Sequence, residues 1–233
     1  MMALRKETLM LKKRVLACCV RLFLEQGYHQ TTLAQIYKET NISASSFQHL
    51  FQTKDGLLYD LTKVMFNSQF KMARSMSKKQ LPLLYIYATE TAIQLTITEL
   101  NENIRDIYIE AYRMPKSTEL IYKKMSVELA NIFKDNFPGY TAQDFYEMEI
   151  GTSGLMVNYM AKKCDENFSI ETKIERFLVS ALRIYKVSEK EQAEVLAYIK
   201  ALNVRKVAEE VIKKLFVMLE VEFDFKFQEE SVK

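Results

Sequence analysis

Apolar positions recur along this chain at intervals of three and four residues, the period of one face of an α-helix. Val15, Cys19, Leu22 and Phe23, with Gln26 in the same phase, predict a first helix that starts near Arg5 and stops at Gly27. Thr32-Leu33-Ala34-Gln35 has the spacing of a capping box, in which the Thr hydroxyl and the Gln amide satisfy free backbone amides. A short second helix from Thr32 to about Glu39 follows. Asn41 tolerates a left-handed turn, and Ser43 then caps a third helix to about Phe51. Thr53 caps a long fourth helix through Leu57, Leu58, Leu61, Met65 and Met72.

The same pattern continues at larger scale. Helices are predicted from Pro82 to about Glu102, from Ile104 to Arg113, and from Pro115, a proline suited to a first turn, to about Asn136. Pro138-Gly139 breaks the pattern, and Thr141 caps a helix to about Cys164. Thr172 to Glu175 reads as the capping box of a helix with Ile174, Phe177, Leu178, Ala181, Leu182 and Tyr185 on one face. Ser188 to Glu191 opens the next, and a last helix runs from about Val204 to Leu219. Val221, Phe223, Phe225 and Phe227 alternate with charged residues, the period of a strand that must dock or pair, or else of a frayed tail. The fold class is therefore all-α. A front domain occupies residues 1–54, a larger helical domain residues 55–233, and the fourth helix, about 54–79, connects them.

Composition agrees with long helices and short connections, since only five Gly and three Pro occur in 233 residues. The longest uncharged run is the polar stretch from Thr40 to Thr53, so no membrane span is expected. The N-terminus has no apolar leader before a small-residue cleavage site, which favours the cytoplasm. Three cysteines, two of them adjacent, give no disulfide framework. Cys18 and Cys19 read as packing residues of the first helix. Two histidines are too few for a zinc cluster and nearly exclude a histidine-based catalytic triad, so neither an enzyme nor a cofactor is expected. Charge is divided unevenly: residues 1–80 carry 13 basic and 5 acidic side chains, net +8, against 20 and 25, net −5, over residues 81–233. The front suits a polyanion.

Two short helices joined by a turn and braced by longer helices form a helix-turn-helix pattern. The small side chains Ala44, Ser45 and Ser46 at the start of the third helix let its backbone approach phosphates and base edges. From Val15 to Leu57 the residues Val15-Leu16, Phe23, Gly27-Tyr28, Thr31-Thr32, Ile36, Ile42-Ser43, Ser46-Phe47, Phe51, Lys54-Asp55 and Leu57 stand in unbroken order. That stretch resembles the DNA-binding domain of the tetracycline-repressor-like (TetR) family of transcription regulators. It departs from the family pattern at Tyr37, usually small, at Thr40-Asn41 in the turn, and at Ala44, Ser45 and Gln48, where Lys, Gly and Tyr are common. The resemblance implies that Thr32, Gln35 and Lys54 touch phosphate. It also implies that Ser43, Ala44, Ser45, Ser46, Gln48 and His49 form the recognition surface. Arg5, Lys6, Lys12, Lys13 and Arg14 offer a basic arm or a solvated helix face.

The resemblance further implies a ligand-responsive regulator, a repressor that binds a palindromic operator in double-stranded DNA as a homodimer. Two late helices, most simply Thr141–Cys164 and Thr172–Tyr185, would build the dimer, and a small-molecule effector would occupy the rear domain. Twelve Met, 14 Phe and 13 Tyr supply the adaptable apolar side chains such a pocket uses. Gly151-Thr152-Ser153-Gly154 inside a helix usually marks close approach of another helix, less often of a ligand. Glu90 lies among Ile86, Tyr87 and Ile93 on an unusually apolar helix. Such a carboxylate faces solvent in the commoner case, or marks a polar spot in an apolar cavity that favours a cationic or hydroxylated ligand. The second case makes Tyr87, Glu90, Ile93, Tyr112 and Met156 the candidate ligand residues. A helical adaptor whose DNA contacts have decayed is the competing reading, motivated by Ala44 and Gln48.

Overall fold

A computed structural model describes residues 2–63, 65 and 81–223, and among them every extended regular element is a helix. The front comprises α1 (Met2–Gln26), α2 (Leu33–Thr40), α3 (Ala44–Phe51) and α4, which is helical over 54–63. The rear comprises α5 (Leu83–Leu100), α6 (Glu102–Arg113), α7 (Pro115–Phe133), α8 (Ala142–Ala161), α9 (Ile170–Ile184), α10 (Glu189–Ala201) and α11 (Val204–Phe223). Met72 and the rest of the connecting helix expected to residue 79 lie outside the described residues.

Local chemistry sets the front boundaries. Thr32 Oγ1 accepts the Gln35 amide at 3.2 Å while Gln35 Oε1 accepts the Thr32 amide at 2.8 Å, the reciprocal box read from the sequence. Asn41 takes the left-handed conformation at φ 50°, and Ser43 Oγ accepts the Ser46 amide at 3.1 Å to start α3. Thr53 Oγ1 accepts the Gly56 amide at 3.0 Å and starts α4. That turn is tight: a Cβ on Gly56 would lie 2.0 Å from the Phe51 carbonyl oxygen, so only glycine fits. The apolar faces meet in one core built on Phe23, Ile36, Phe47, Phe51, Leu57 and Leu58.

In the rear, α5 is buried on every side from Ile86 to Thr98, which explains why its apolar residues are not confined to one stripe. The other rear helices surround it, with α7 lying along α8. Its C-terminal end is fixed by a buried ion pair. Lys173, wholly inaccessible, places Nζ 2.7 Å from Glu99 Oε2 and 2.5 Å from the Lys162 carbonyl oxygen, while Glu99 Oε1 accepts the Cys164 amide at 3.1 Å. These bonds hold the bend between α8 and α9 against α5.

Several sequence expectations need correction. Helix α9 begins one turn before Thr172, because Ser169 Oγ accepts the Thr172 amide at 3.2 Å and takes the cap. Helix α8 ends at Ala161 rather than near Cys164, whose amide is turned to Glu99. Asn101 alone separates α5 from α6, and its Oδ1 accepts the Ile104 amide at 2.9 Å. Val221 to Phe223 continue α11 rather than forming a strand, since the helix satisfies its own backbone whereas a strand needs a partner, and none is described. Asp224 to Phe227 lie outside the described residues.

Two substitutions test these local causes. Gly56→Ala forces its new methyl into a backbone carbonyl and should cost roughly 2–3 kcal/mol, read as a melting temperature lower by about 5–10 °C. Ser188→Ala removes the hydroxyl that accepts the Glu191 amide at 3.3 Å and caps α10; it should cost about 1 kcal/mol by chemical denaturation.

Candidate nucleic-acid interface and rear cavity

Helix α3 turns Phe47 and Phe51 into the core, and this leaves Ser43, Ala44, Ser45, Gln48 and His49 exposed on the outer face, with Ser46 half-buried. Phe47 also meets the ring of Tyr37 edge-on at 5.4 Å between centroids. The large side chain that departs from the family pattern therefore packs α2 onto α3. Ser43 Oγ lies 3.0 Å from Ser45 Oγ and donates to Ser46 Oγ at 2.9 Å, so the three serines form a connected hydroxyl cluster around the helix start. Exposed hydroxyls, an amide, an imidazole and a helix N-terminus are donors and acceptors of the kind that read base edges and phosphates.

The expected phosphate contacts divide. Thr32 is exposed at the start of α2, but its hydroxyl is engaged in the capping box. Gln35 Oε1 is held by Thr32 and by Gln26 Nε2 at 3.2 Å, so this side chain ties α1 to α2. Lys54 is turned inward: its ammonium donates to the Tyr28 carbonyl oxygen and sits 4.0 Å from the Tyr28 ring centroid. Burial lowers the Lys54 pKa from the ordinary lysine value. The Tyr28 hydroxyl donates to Asp55 Oδ1 at 3.0 Å, which closes the clamp between the α1–α2 turn and α4. Of the basic face on α1, Lys12 pairs with Asp60 at 2.6 Å, Arg14 is exposed, and the side chains of Arg5 and Lys6 lie outside the described residues.

In the rear, Tyr87, Glu90, Tyr112 and Met156 come together around a cavity of about 20 Å³ between α5, α6, α7, α8 and α9. Ile93 is not among its lining residues; it falls off the stripe made by Tyr87, Glu90, Thr91 and Gln94 and packs in the apolar core. Glu90 is 4% exposed, so the solvent-facing placement is overturned. Sequence reasoning missed Glu149, which is equally buried on α8 and lines the same cavity. Its carboxylate accepts from Thr152 Oγ1 at 2.8 Å, and Thr152 Oγ1 accepts in turn from the Tyr185 hydroxyl at 2.8 Å. Burial pushes the Glu149 pKa up to about 8, with the Glu90 charge adding to the rise and the Thr152 bond opposing it. The signal was available: Phe145, Glu149, Thr152, Ser153, Met156 and Met160 make one helical stripe through the Gly-Thr-Ser-Gly run. Gly151 and Gly154, by contrast, look outward with nothing within 4 Å of a built Cβ.

Among the described residues no three His, Cys, Asp or Glu side chains gather into a metal-binding group, and no helix is long and apolar enough to cross a membrane.

A family model for bacterial regulatory proteins of the tetR family matches residues 16–61, the segment holding most of α1, all of α2 and α3, and the start of α4. Over 130 residues the chain is 27% identical to the HTH-type transcriptional regulator QacR of Staphylococcus aureus (strain Mu50 / ATCC 700699), covering 54% of this chain and 66% of QacR, just under two thirds of it. Over 149 residues it is 23% identical to IcaR of Staphylococcus aureus (strain Newman), the HTH-type negative transcriptional regulator of a biofilm operon, covering 59% of this chain and 77% of IcaR. A solved γ-butyrolactone receptor aligns over 88% of this chain and 97% of its own, with a TM-score of 0.42 and 12% identity. The likeness to the tetR family of bacterial regulatory proteins thus lies in the N-terminal helix-turn-helix, residues 16–61, with these regulators as distant relatives of the longer chain.

Proposed function

We propose that this chain is a cytoplasmic, non-enzymatic transcription repressor that binds a palindromic operator as a homodimer and is released by a small effector in its rear domain. The observation that carries the reading is the outer face of α3, where Ser43, Ala44, Ser45, Gln48 and His49 are exposed while Phe47 and Phe51 anchor the helix from behind. Both relatives are named as transcriptional regulators, and IcaR as a negative one. The net charge of +8 over residues 1–80 supports a polyanionic partner.

For the dimer, the outward faces of α8 and α9 offer Ile150 at 46% and Ile184 at 40% exposure, beside the bare surfaces of Gly151 and Gly154. Small residues next to exposed aliphatic ones permit close helix approach. For signalling, α6 belongs to both halves. Asn103 Nδ2 donates to the Leu24 carbonyl at 2.7 Å, Ile107 enters the front core, and Glu110 lies 3.3 Å from His29 Nε2. Tyr112, one turn after Tyr108 on the same helix, lines the cavity. An effector that favours one placement of α6 would shift the spacing of the two front domains of a dimer.

A helical adaptor without DNA affinity is the second reading, and the inward turn of Lys54 is what favours it. A gel-shift titration on DNA around the protein's own gene separates the two. The repressor reading expects affinity that falls steeply with salt and two half-sites about 34–36 Å apart, or a multiple of that spacing. Gln48→Ala and His49→Ala should change sequence preference at individual base pairs, by about 1–3 kcal/mol each. Lys54→Ala should weaken binding to all sequences alike, and its melting temperature reports the separate loss of the Tyr28 clamp. Ile150→Glu should give monomers in sedimentation and lose operator affinity while keeping its helical circular dichroism. Salt-insensitive binding, or a wild-type monomer at micromolar concentration, would contradict the proposal.

A further inference from the structure

A second cavity, of about 280 Å³, lies between α9 on one side and the end of α10 with the start of α11 on the other, over α5. Its floor is aliphatic: Ile170 and Ile174 come from α9, Leu196 and Ile199 from α10, and Leu202 and Val204 from the α10–α11 junction. Thr96 of α5 also lines it, but its hydroxyl donates to the Ala92 carbonyl oxygen at 2.7 Å and so has no proton to offer a ligand. The rim is charged, with one sign on each wall. Glu171 and Glu175 stand one turn apart on α9, and Lys200 at the end of α10 and Arg205 in the first turn of α11 stand across from them. Lys200 Nζ lies 3.1 Å from Glu175 Oε2, which joins the two walls. The other two charges are not joined. Arg205 commits only Nε, to Glu209 Oε1 at 3.3 Å, and its two terminal nitrogens have no acceptor among the described residues. The Glu171 carboxylate likewise has no hydrogen bond or ion pair among them.

We propose that this cavity binds a free α-amino acid with a branched aliphatic side chain, such as leucine. The alkyl group lies on the aliphatic floor, the carboxylate meets the Arg205 fork, and the ammonium meets Glu171. Charge selects the class. The lining holds two acidic and two basic side chains, so a ligand of one sign gains from one wall and is repelled by the other, whereas a zwitterion gains from both. A guanidinium with both terminal nitrogens free matches a carboxylate in two parallel bonds. The volume falls just below the roughly 300–1,000 Å³ of cavities that take drug-sized ligands, which suits a small metabolite. Because Glu171 and Arg205 are exposed, water screens both contacts, and most of the binding comes from the buried alkyl group. The site is separate from the cavity beside α8. Helix α11 starts at it, packs along α5 and reaches α1, so the ligand seats against a helix that meets both domains.

The test is titration of the full chain with L-leucine at neutral pH, read by calorimetry and by ligand-observed NMR, with a millimolar or tighter dissociation constant expected. Three probes divide the ligand into its parts. The anion 4-methylpentanoate keeps the alkyl group and carboxylate without the ammonium, 3-methylbutylamine keeps the alkyl group and ammonium without the carboxylate, and glycine keeps both charges without the side chain. Each should bind at least about fivefold more weakly than leucine. Arg205→Gln should weaken leucine by about fivefold and leave 3-methylbutylamine no weaker, and Glu171→Gln should weaken leucine similarly and leave 4-methylpentanoate no weaker. Both positions are exposed, so the unliganded variants should melt with the wild type. No leucine binding at tens of millimolar, equal affinity for leucine and either singly charged probe, or leucine affinity that survives both substitutions would overturn the proposal. None of these titrations involves DNA. A protein that shifts its operator but ignores leucine sinks only the inference about this cavity, whereas leucine binding without DNA binding supports it and counts against the repressor alone.

Discussion

The rear domain is organised by the burial of one helix. Because α5 has no solvent-facing side between Ile86 and Thr98, each polar group on it needs a partner inside the protein. Several are satisfied within the helix: the hydroxyls of Thr89, Thr96 and Thr98 return to the carbonyls of Tyr85, Ala92 and Leu95 at 2.7–2.9 Å. Glu99 at the end of the helix draws in Lys173 and the Cys164 amide, and so fixes the α8–α9 bend. Glu90, Thr91 and Gln94 share a different stripe and open onto the cavity. One constraint, a polar helix stripe inside an apolar domain, thus accounts both for the packing of the surrounding helices and for the small cavity beside α8.

The two halves are joined through packing and polar contacts rather than charge alone. Ile107 sits in the front core while Tyr108 and Ile109, its neighbours on α6, belong to the rear core. Asn103 grips the last turn of α1 close to Gly27, whose φ of 89° lets the chain reverse there. A hypothetical Cβ at Gly27 would lie 3.1 Å from Asn103 Oδ1, so the front domain and α6 meet at near-contact distance. A displacement of α6 cannot be absorbed by empty space at this seam, and interiors packed this closely transmit strain.

The front domain shows how departures from a family pattern can be accommodated by packing. Tyr37 fills the space against Phe47, and Asn41 adopts the left-handed turn that a glycine would otherwise supply. Lys54 is committed to Tyr28, and Gln35 to Gln26 and Thr32. On α3, by contrast, Ala44, Gln48 and His49 are exposed on the outer face, away from these internal bonds.

Local signals in the sequence determined the helical class, the caps at Thr32, Ser43, Thr53, Thr141 and Ser188, and the outward set on α3. A cap needs only a side chain and an amide three residues on, and periodicity needs only one helix, so both are written in neighbouring residues. The start of α9 was misplaced because Thr172 and Ser169 are both competent caps, and choosing between them depends on where Lys173 meets Glu99, 74 residues away. The fate of Glu90 was equally illegible, because its own helix does not reveal which helices will cover it. The cavity itself belongs to the tertiary structure alone. It exists where Glu90 and Glu149, on helices distant in sequence, face each other, and the shift of Glu149 comes from burial that no local pattern encodes.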